Sequence, residues 1–171
     1  MNVLETERLI LRWLSAEDAA FILELVNDPA WLRFIGDRGL RTLEDARDYI
    51  LNGPVAMYRR AGFGLYLVEL KQSATPIGIC GLIERVGLED IDIGFAFLPA
   101  FCGQGYAYES ASAMMTYAQD TVGLNRVVAI TAPDNQRSIT LLTKLGLSFV
   151  GMLRLGEDQP EVMLFAWNKP V

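Results

Sequence analysis

Seven stretches of the chain carry apolar residues in alternation with polar ones or in short runs, and each predicts a β-strand. They cover residues 3–13, 63–70, 77–85, 90–98, 126–131, 147–153 and 161–167. The first predicts an edge strand. Short polar turns join the second, third and fourth, which indicates an antiparallel meander.

Four other segments space their apolar residues as helices do. The first is predicted from Ser15 to Val26, and its start resembles a capping box between Ser15 and Asp18. The others are residues 42–60, kinked at Gly53-Pro54, then 104–122 and 135–145. A short helical turn and a loop are expected over residues 30–41. About seven strands and about four helices, without a repeat or a linker, predict one mixed α/β domain over residues 1–171 around a single sheet.

The chain is acidic, which narrows its partners. It has 15 Lys and Arg against 21 Asp and Glu, a formal net charge of −6. A general nucleic-acid binder needs a basic face, so no nucleic-acid partner is expected. An acidic surface suits a cationic partner such as an amine or a basic protein, although many soluble proteins are acidic for solubility alone.

Histidine is absent from the sequence, which removes several kinds of chemistry. No Ser-His-Asp or Cys-His nucleophile and no histidine base can form. Cys80 and Cys102 make no CxxC pair and no histidine completes a zinc site, so no metal is expected. The two unpaired cysteines predict a reducing, cytoplasmic compartment. Charges within the apolar N-terminal stretch argue against a signal peptide, and no apolar run has membrane-spanning length, so no membrane partner is expected.

A strand, a glycine-containing loop and a helix follow one another from Asp90 to Val122. Gly103 and Gly105 precede the helix, whose first N–H groups lack helical partners and favour an anion. The residues alone leave two interpretations open, a cradle for a diphosphate and an ordinary tight turn. The dinucleotide fingerprint fails because Tyr108 stands where Gly or Ala is required, and the P-loop Gly-Lys-Ser/Thr is absent.

The stretch from Leu98 to Glu109, LPAFCGQGYAYE, resembles the acetyl-CoA loop of the GNAT superfamily, Arg/Gln-x-x-Gly-x-Gly/Ala followed by Tyr-Ala-x-Glu. Ala100 departs from the pattern, since Arg or Gln is common there. The matching positions are Gly103, Gly105, Tyr106, Ala107 and Glu109.

Further segments carry the same resemblance in the expected order. Residues 135–138, NQRS, with Leu141 and the Leu-Gly-Leu of 145–147 resemble the second CoA-side motif of the superfamily. TERLILR at 6–12 and Asn-Asp-Pro at 27–29 resemble the opening of the RimJ/RimL-like branch, which acetylates ribosomal-protein N-termini. By resemblance the chain is identified as a GNAT N-acetyltransferase.

The resemblance implies a mostly antiparallel sheet that splays at the acetyl-CoA site, and direct transfer of acetyl to an amine. A free N–H on the strand before the loop would polarise the thioester carbonyl. The implied cofactor-binding residues are Phe97, Leu98, Cys102, Gly103, Gln104, Gly105, Tyr106, Ala107, Asn135, Ser138 and Lys144. Asn135 also fits a helix N-cap, and Lys144 or Arg137 would meet the 3′-phosphate of CoA.

Candidate catalytic groups are fewer. Ser138 would protonate the departing thiolate, with a solvent-facing helix serine as the alternative. Many members place a Tyr where this chain has Leu142. In the absence of histidine the base is a carboxylate, either Glu84, slightly preferred, or Asp92. Each is also explained as an exposed strand carboxylate.

Three functions stay open at this point. They are acetylation of a protein or peptide α-amine, acetylation of a small amine such as a polyamine, amino acid or antibiotic, and CoA binding without catalysis. Trp31, Phe34 and Tyr49 either wall the acceptor pocket or belong to the core. A monomer and a homodimer are both compatible with the sequence.

Overall fold

The computed structural model describes residues 1–171 and joins eight strands in one sheet. The strands are β1 (Asn2–Glu5), β2 (Leu9–Arg12), β3 (Leu65–Leu70), β4 (Pro76–Ile83), β5 (Asp92–Phe97), β6 (Arg126–Thr131), β7 (Ser148–Leu153) and β8 (Val162–Asn168). Their order is β1-β2-β3-β4-β5-β6-β8-β7. All neighbours are antiparallel except β5 and β6, which confirms the predicted mixed, mostly antiparallel sheet.

Residues 3–13 form a hairpin, so the prediction of one strand there is wrong. The Thr6 N–H donates to the Leu9 carbonyl at 2.9 Å, and the Leu9 N–H donates to Thr6 Oγ1 at 3.1 Å. These two bonds close a turn, and Leu4 then lies opposite Leu11. The turn holds no Gly or Pro, which are the residues that mark turns most strongly in a sequence.

Six helices surround the sheet. They are α1 (Ala19–Val26), α2 (Pro29–Phe34), α3 (Leu43–Ile50), α4 (Ala56–Ala61), α5 (Tyr106–Tyr117) and α6 (Gln136–Lys144). A π-helical turn over Leu51–Val55 joins α3 to α4 and contains Pro54. Proline has no N–H to donate, so the turn widens and the two helices form the single kinked element that was predicted. The capping box between Ser15 and Asp18 is also present.

The helices divide between the two faces of the sheet. Cys80 pairs with Phe95 across β4 and β5 and lies against Ser110 of α5, so α5 covers the face that carries Phe95. Asp92 points to the opposite face because side chains alternate along a strand. Arg12 lies on that face too, where it binds Asp18 before α1. Leu25, Trp31 and Tyr49 line the same cavity as Asp92, so the segment from α1 to α3 packs on the Asp92 side.

Candidate active site

The strands β5 and β6 diverge after one point of pairing. Parallel pairing joins Asp92 to Val128, and the Val128 N–H donates to the Ile91 carbonyl at 2.9 Å. Beyond this fork β5 continues to Phe97 and β6 to Thr131 without a shared ladder. A cleft of about 1380 Å³ opens between them, which confirms the predicted splay of the sheet.

The free side of β5 presents backbone groups to this cleft. The Leu98 N–H donates to the Ile77 carbonyl of β4 at 2.9 Å. Because N–H directions alternate along a strand, the N–H groups of Phe95 and Phe97 point away from β4 and toward the cleft. No strand pairs with them there. An extended ligand can add to this side of β5 as a further strand.

A row of unpartnered amides follows where the loop enters α5. The first bond of the helix runs from the Glu109 N–H to the Gly105 carbonyl at 3.0 Å. The N–H groups from Gly103 to Tyr108 donate to no acceptor in the protein. Gly103 and Gly105 have φ of +77° and +85°, and a Cβ at Gly103 would meet no atom within 4 Å. This amide row, at the positive end of a helix dipole, fits the diphosphate of CoA.

The structure places the implied cofactor residues in two groups. The side chains or backbone of seven line the cleft: Phe97, Cys102, Gly103, Gly105, Ala107, Asn135 and Ser138. The other four, Leu98, Gln104, Tyr106 and Lys144, do not line it. Gln104 and Tyr106 add backbone N–H groups only to the amide row, whereas the Leu98 N–H is used in the sheet. The Cys102 N–H donates to the Pro99 carbonyl at 3.2 Å, so Cys102 lines the cleft but its amide is not part of the row.

Lys144 stands beside the cleft, with Nζ 4.0 Å from the centre of the Tyr108 ring. Tyr108 itself lines the cleft, as does Arg137. Lys144 therefore lies near the amide row, and both cations are exposed. This position suits a phosphate group that extends out of the cleft.

Asn135 and Ser138 meet at the start of α6. The Asn135 side chain caps the helix by accepting the Ser138 N–H at 3.3 Å, and its amide nitrogen donates to nothing in the protein. The Ser138 hydroxyl likewise has no partner, and both residues line the cleft. The capping role and the cofactor role of Asn135 are thus compatible, since they use different atoms.

Asp92 is a buried carboxylate at the fork. Its side chain is 1% exposed and accepts a hydrogen bond from Arg85 Nε at 2.7 Å. Burial raises the pKa of Asp92 to about 6, and the charge and hydrogen bond of Arg85 oppose that rise. Asp92 and Arg85 both line the cleft.

Glu84 is not brought to the cleft, so the slight preference for Glu84 as the base is a prediction that the structure does not support. Its carboxylate is 46% exposed and pairs with Arg60 at 2.8 Å. The register places Ile83 opposite Asp92. Glu84 is one residue further along and points to the other face.

The cleft extends over the Asp92 side of the sheet. Trp31, Phe34 and Tyr49 all line it, and Trp31 Nε1 is buried without a hydrogen-bond partner. Burial raises the pKa of Tyr49, opposed by the nearby charges of Arg38 and Arg85. The segment between β7 and β8 closes this end through Leu155 and residues 159–162.

Sequence reasoning missed the partner of Asp92 and the contacts of Glu109. Arg85 carried no motif, and only the fold brings it to the fork. Glu109 was matched as part of the loop pattern, and Arg8 as part of the N-terminal one. The structure joins these two residues at 2.7 Å.

The cleft has two features that suit one ligand. The unpaired side of β5 can bind an extended chain, and the amide row can bind a diphosphate. These features fit a coenzyme A-dependent acyltransferase, and the buried Asp92 carboxylate lines the same cleft. The chain belongs to the acetyltransferase (GNAT) domain family, whose sequence profile matches residues 8–148. It is an N-acetyltransferase that uses acetyl-CoA.

Similar proteins agree with this assignment. The uncharacterized N-acetyltransferase YoaA of Bacillus subtilis is 29% identical over 154 residues, covering 89% of this chain and 86% of that protein. An acetyltransferase structure from Agrobacterium tumefaciens superposes with a TM-score of 0.84 at 22% identity, covering 99% and 95% of the two chains. A structure from Salmonella typhimurium, an acetyl transferase described as modifying the N-terminal serine of ribosomal protein L7/L12, gives 0.81 at 20% identity, covering 99% and 100%. At these identities the two structures show the fold alone.

The structure contains neither a membrane-spanning helix nor a cluster of metal-binding side chains. None of the helices has both the length and the apolar character that crossing a membrane requires. No group of three or more His, Cys, Asp or Glu side chains is arranged to hold a metal ion.

Proposed function

We propose that the protein acetylates the N-terminal α-amine of a protein or peptide, with Asp92 as the base and Ser138 as the proton donor. The observation that carries the proposal is the position of Asp92 at the fork of β5 and β6. One cleft contains this carboxylate, the free side of β5 and the amide row. A neutral amine and a thioester held there would meet beside a proton acceptor.

Backbone groups would hold and polarise the acetyl donor. Acetyl-CoA supplies the acetyl group as a thioester. The N–H of Phe95 or Phe97 would donate to the thioester carbonyl oxygen, where negative charge develops. The Asn135 amide nitrogen would bind the pantetheine arm, the amide row the diphosphate, and Lys144 the 3′-phosphate.

Asp92 suits the role of base because of its environment. As the C–N bond forms, the amine nitrogen must lose a proton, which Asp92 would accept directly or through water. A pKa of about 6 makes Asp92 a stronger base than an ordinary carboxylate while leaving it ionised at neutral pH.

Ser138 suits the role of acid because it lines the cleft and its hydroxyl has no hydrogen-bond partner in the protein. When the C–S bond breaks, the sulfur takes the electron pair and needs a proton. The Ser138 hydroxyl would donate it and recover a proton from solvent. Leu142, at the place where many superfamily members have Tyr, is buried and has no proton to give.

Two observations support a peptide acceptor. The residues that line the cleft include members of α2 and of the segment before β8, with the carboxylates Asp28 and Glu161 among them. These carboxylates suit a cationic N-terminus. The Salmonella structure with the same fold is described as an enzyme that modifies a protein N-terminus.

Paired acceptors test the proposal directly. A short peptide with a free N-terminus is compared with the same peptide blocked at its N-terminus and carrying a lysine, and with spermidine and free amino acids. Release of CoA thiol and the mass of the product are measured. We expect acetylation of the free N-terminus only. Turnover of the small amines alone, or of the blocked peptide on lysine, would overturn the proposed acceptor, and CoA binding without any turnover would overturn catalysis.

A further inference from the structure

Two segments 101 residues apart in sequence meet at one carboxylate. Glu109 Oε2 accepts from Thr6 Oγ1 at 2.5 Å and from the Arg8 N–H at 3.0 Å, and Oε1 accepts from Arg8 Nε at 2.7 Å. Both oxygens of Glu109 are therefore occupied. We call Thr6, Arg8 and Glu109 the Arg8 clamp.

The far end of Arg8 holds the cofactor loop. Arg8 Nη1 donates to the Gln104 carbonyl at 3.0 Å, and the guanidinium lies 4.3 Å from the centre of the Tyr106 ring. Nη2 lies 3.2 Å from where a Cβ of Gly105 would stand. Arg8 thus fills the space behind the loop.

The Gln104 carbonyl belongs to the same peptide unit as the Gly105 N–H. In a planar trans peptide the C=O and the N–H point in opposite directions. Holding the oxygen toward Arg8 therefore directs the Gly105 N–H to the other side of the loop, into the amide row. Gly105 itself rotates easily, since glycine populates φ of either sign. A reversed peptide would present a carbonyl oxygen to the diphosphate in place of a donor.

We propose that Arg8 and Glu109 are positioning residues that lock the 104–105 peptide with its N–H toward the diphosphate of CoA. Glu109 orients Arg8, and Arg8 orients the loop. The inference rests on the CoA site of the proposed function but not on its acceptor or its base.

A direct role for Arg8 as a phosphate ligand makes the opposite prediction for Glu109. Arg8 would then compete between the phosphate and Glu109, so removing Glu109 would keep or strengthen CoA binding. In the clamp, removing Glu109 releases Arg8 from the loop and weakens binding. The two roles are therefore separable by one variant.

The test is calorimetric titration of CoA into wild type, Arg8→Met, Glu109→Ala and the double variant. We expect each single variant to raise the Kd about tenfold, as for a lost hydrogen bond to a charged group, and the double variant to add little to that. Arg8→Lys, which keeps the charge but not the fork of donors, should fall in between. Arg60→Met, another exposed arginine paired with one carboxylate, should leave the Kd unchanged.

A second readout separates positioning from loss of structure. S-acetylpantetheine lacks the diphosphate, so kcat/KM for this donor should be the same in wild type, Arg8→Met and Arg8→Lys. An equal fall for both donors would mean general damage to the site and would overturn the clamp, as would unchanged CoA binding in Arg8→Met or Glu109→Ala. Failure of the wild type to bind CoA would sink the proposed function itself.

Discussion

Arg85 donates a 2.7 Å hydrogen bond to Asp92 at the one residue of β5 that pairs with β6. The carboxylate is 1% exposed and the guanidinium 26%, so the pair lies between the protein interior and the cleft. Burial disfavours the ionised carboxylate and Arg85 favours it. The pKa of Asp92 is therefore about 6, which is close to the pH range in which a general base is effective.

The pH dependence of turnover is the first prediction. Only ionised Asp92 accepts a proton, so kcat should rise with pH through a midpoint of about 6 and then level off. In Asp92→Asn this limb should disappear and kcat should fall by about 10²-fold or more. Steady-state rates at saturating acetyl-CoA and acceptor, measured across this pH range, check both expectations.

Arg85→Met serves as the companion variant. Without the cation, the ionised form of Asp92 loses its partner, so the pKa of Asp92 rises and the limb moves to higher pH. Glu84→Gln should leave the limb in place because Glu84 is on the outer surface. A limb that persists in Asp92→Asn would assign the base to another group.

Removing the Ser138 hydroxyl should separate chemistry from binding. Ser138→Ala should lower kcat at least about tenfold, because the thiolate loses its proton donor, while the Kd for CoA stays the same. Thr143→Ala is the control on the same helix, since the Thr143 hydroxyl bonds only the Ile139 carbonyl. Equal kcat in the two variants would remove Ser138 from the mechanism.

Replacing Gly103 with a residue that has a side chain should weaken CoA binding at the amide row. Gly103 and Gly62 have φ of +77° and +83°, and a Cβ at either meets no atom within 4 Å. Alanine at each position should therefore cost about 1 kcal/mol of unfolding free energy from the left-handed backbone alone. Only Gly103→Ala should also weaken CoA binding. Denaturant unfolding and calorimetry measure the two effects, and equal Kd values would place the diphosphate elsewhere.

A buried ion network should dominate stability at the start of α1. Arg12 donates to Asp18 at 2.9 Å and to Glu69 at 3.0 Å, and the Ser15 N–H donates to Asp18 as well. Asp18→Ala strips Arg12 of a partner and removes a helix cap, so it should cost about 3 kcal/mol.

Asp37→Ala provides the exposed comparison for that network. Asp37 binds Arg41 at 2.6 Å, with both side chains more than half exposed. Solvent screens such a pair, and its loss should cost less than about 1 kcal/mol. Denaturant midpoints at neutral pH check the contrast, and similar losses in the two variants would contradict it.

Local structure was largely predictable from the sequence. The meander, the kink at Gly53-Pro54 and the capping box at Ser15 depend on residues within a few positions of one another. The loop at Gly103 and Gly105 was predictable for the same reason, because its cradle consists of backbone amides at a helix start. The hairpin at Thr6 was not predicted, because a threonine hydroxyl closes its turn and no glycine marks the turn in the sequence.

The sequence by itself therefore determined the family, the donor half of the site and the kind of base, a carboxylate. Only the tertiary structure decided which carboxylate. Glu84 and Asp92 each follow an isoleucine within a stretch predicted as a strand. The register of β4 against β5 places Asp92 in the cleft and leaves Glu84, the residue after β4, outward. The same holds for Arg8 and Glu109, whose contact depends on a hairpin and a helix packing together from opposite parts of the chain. Local propensity carries no information about which distant residues meet, whereas the packing of the hairpin against the helix brings Arg8 and Glu109 within hydrogen-bond distance.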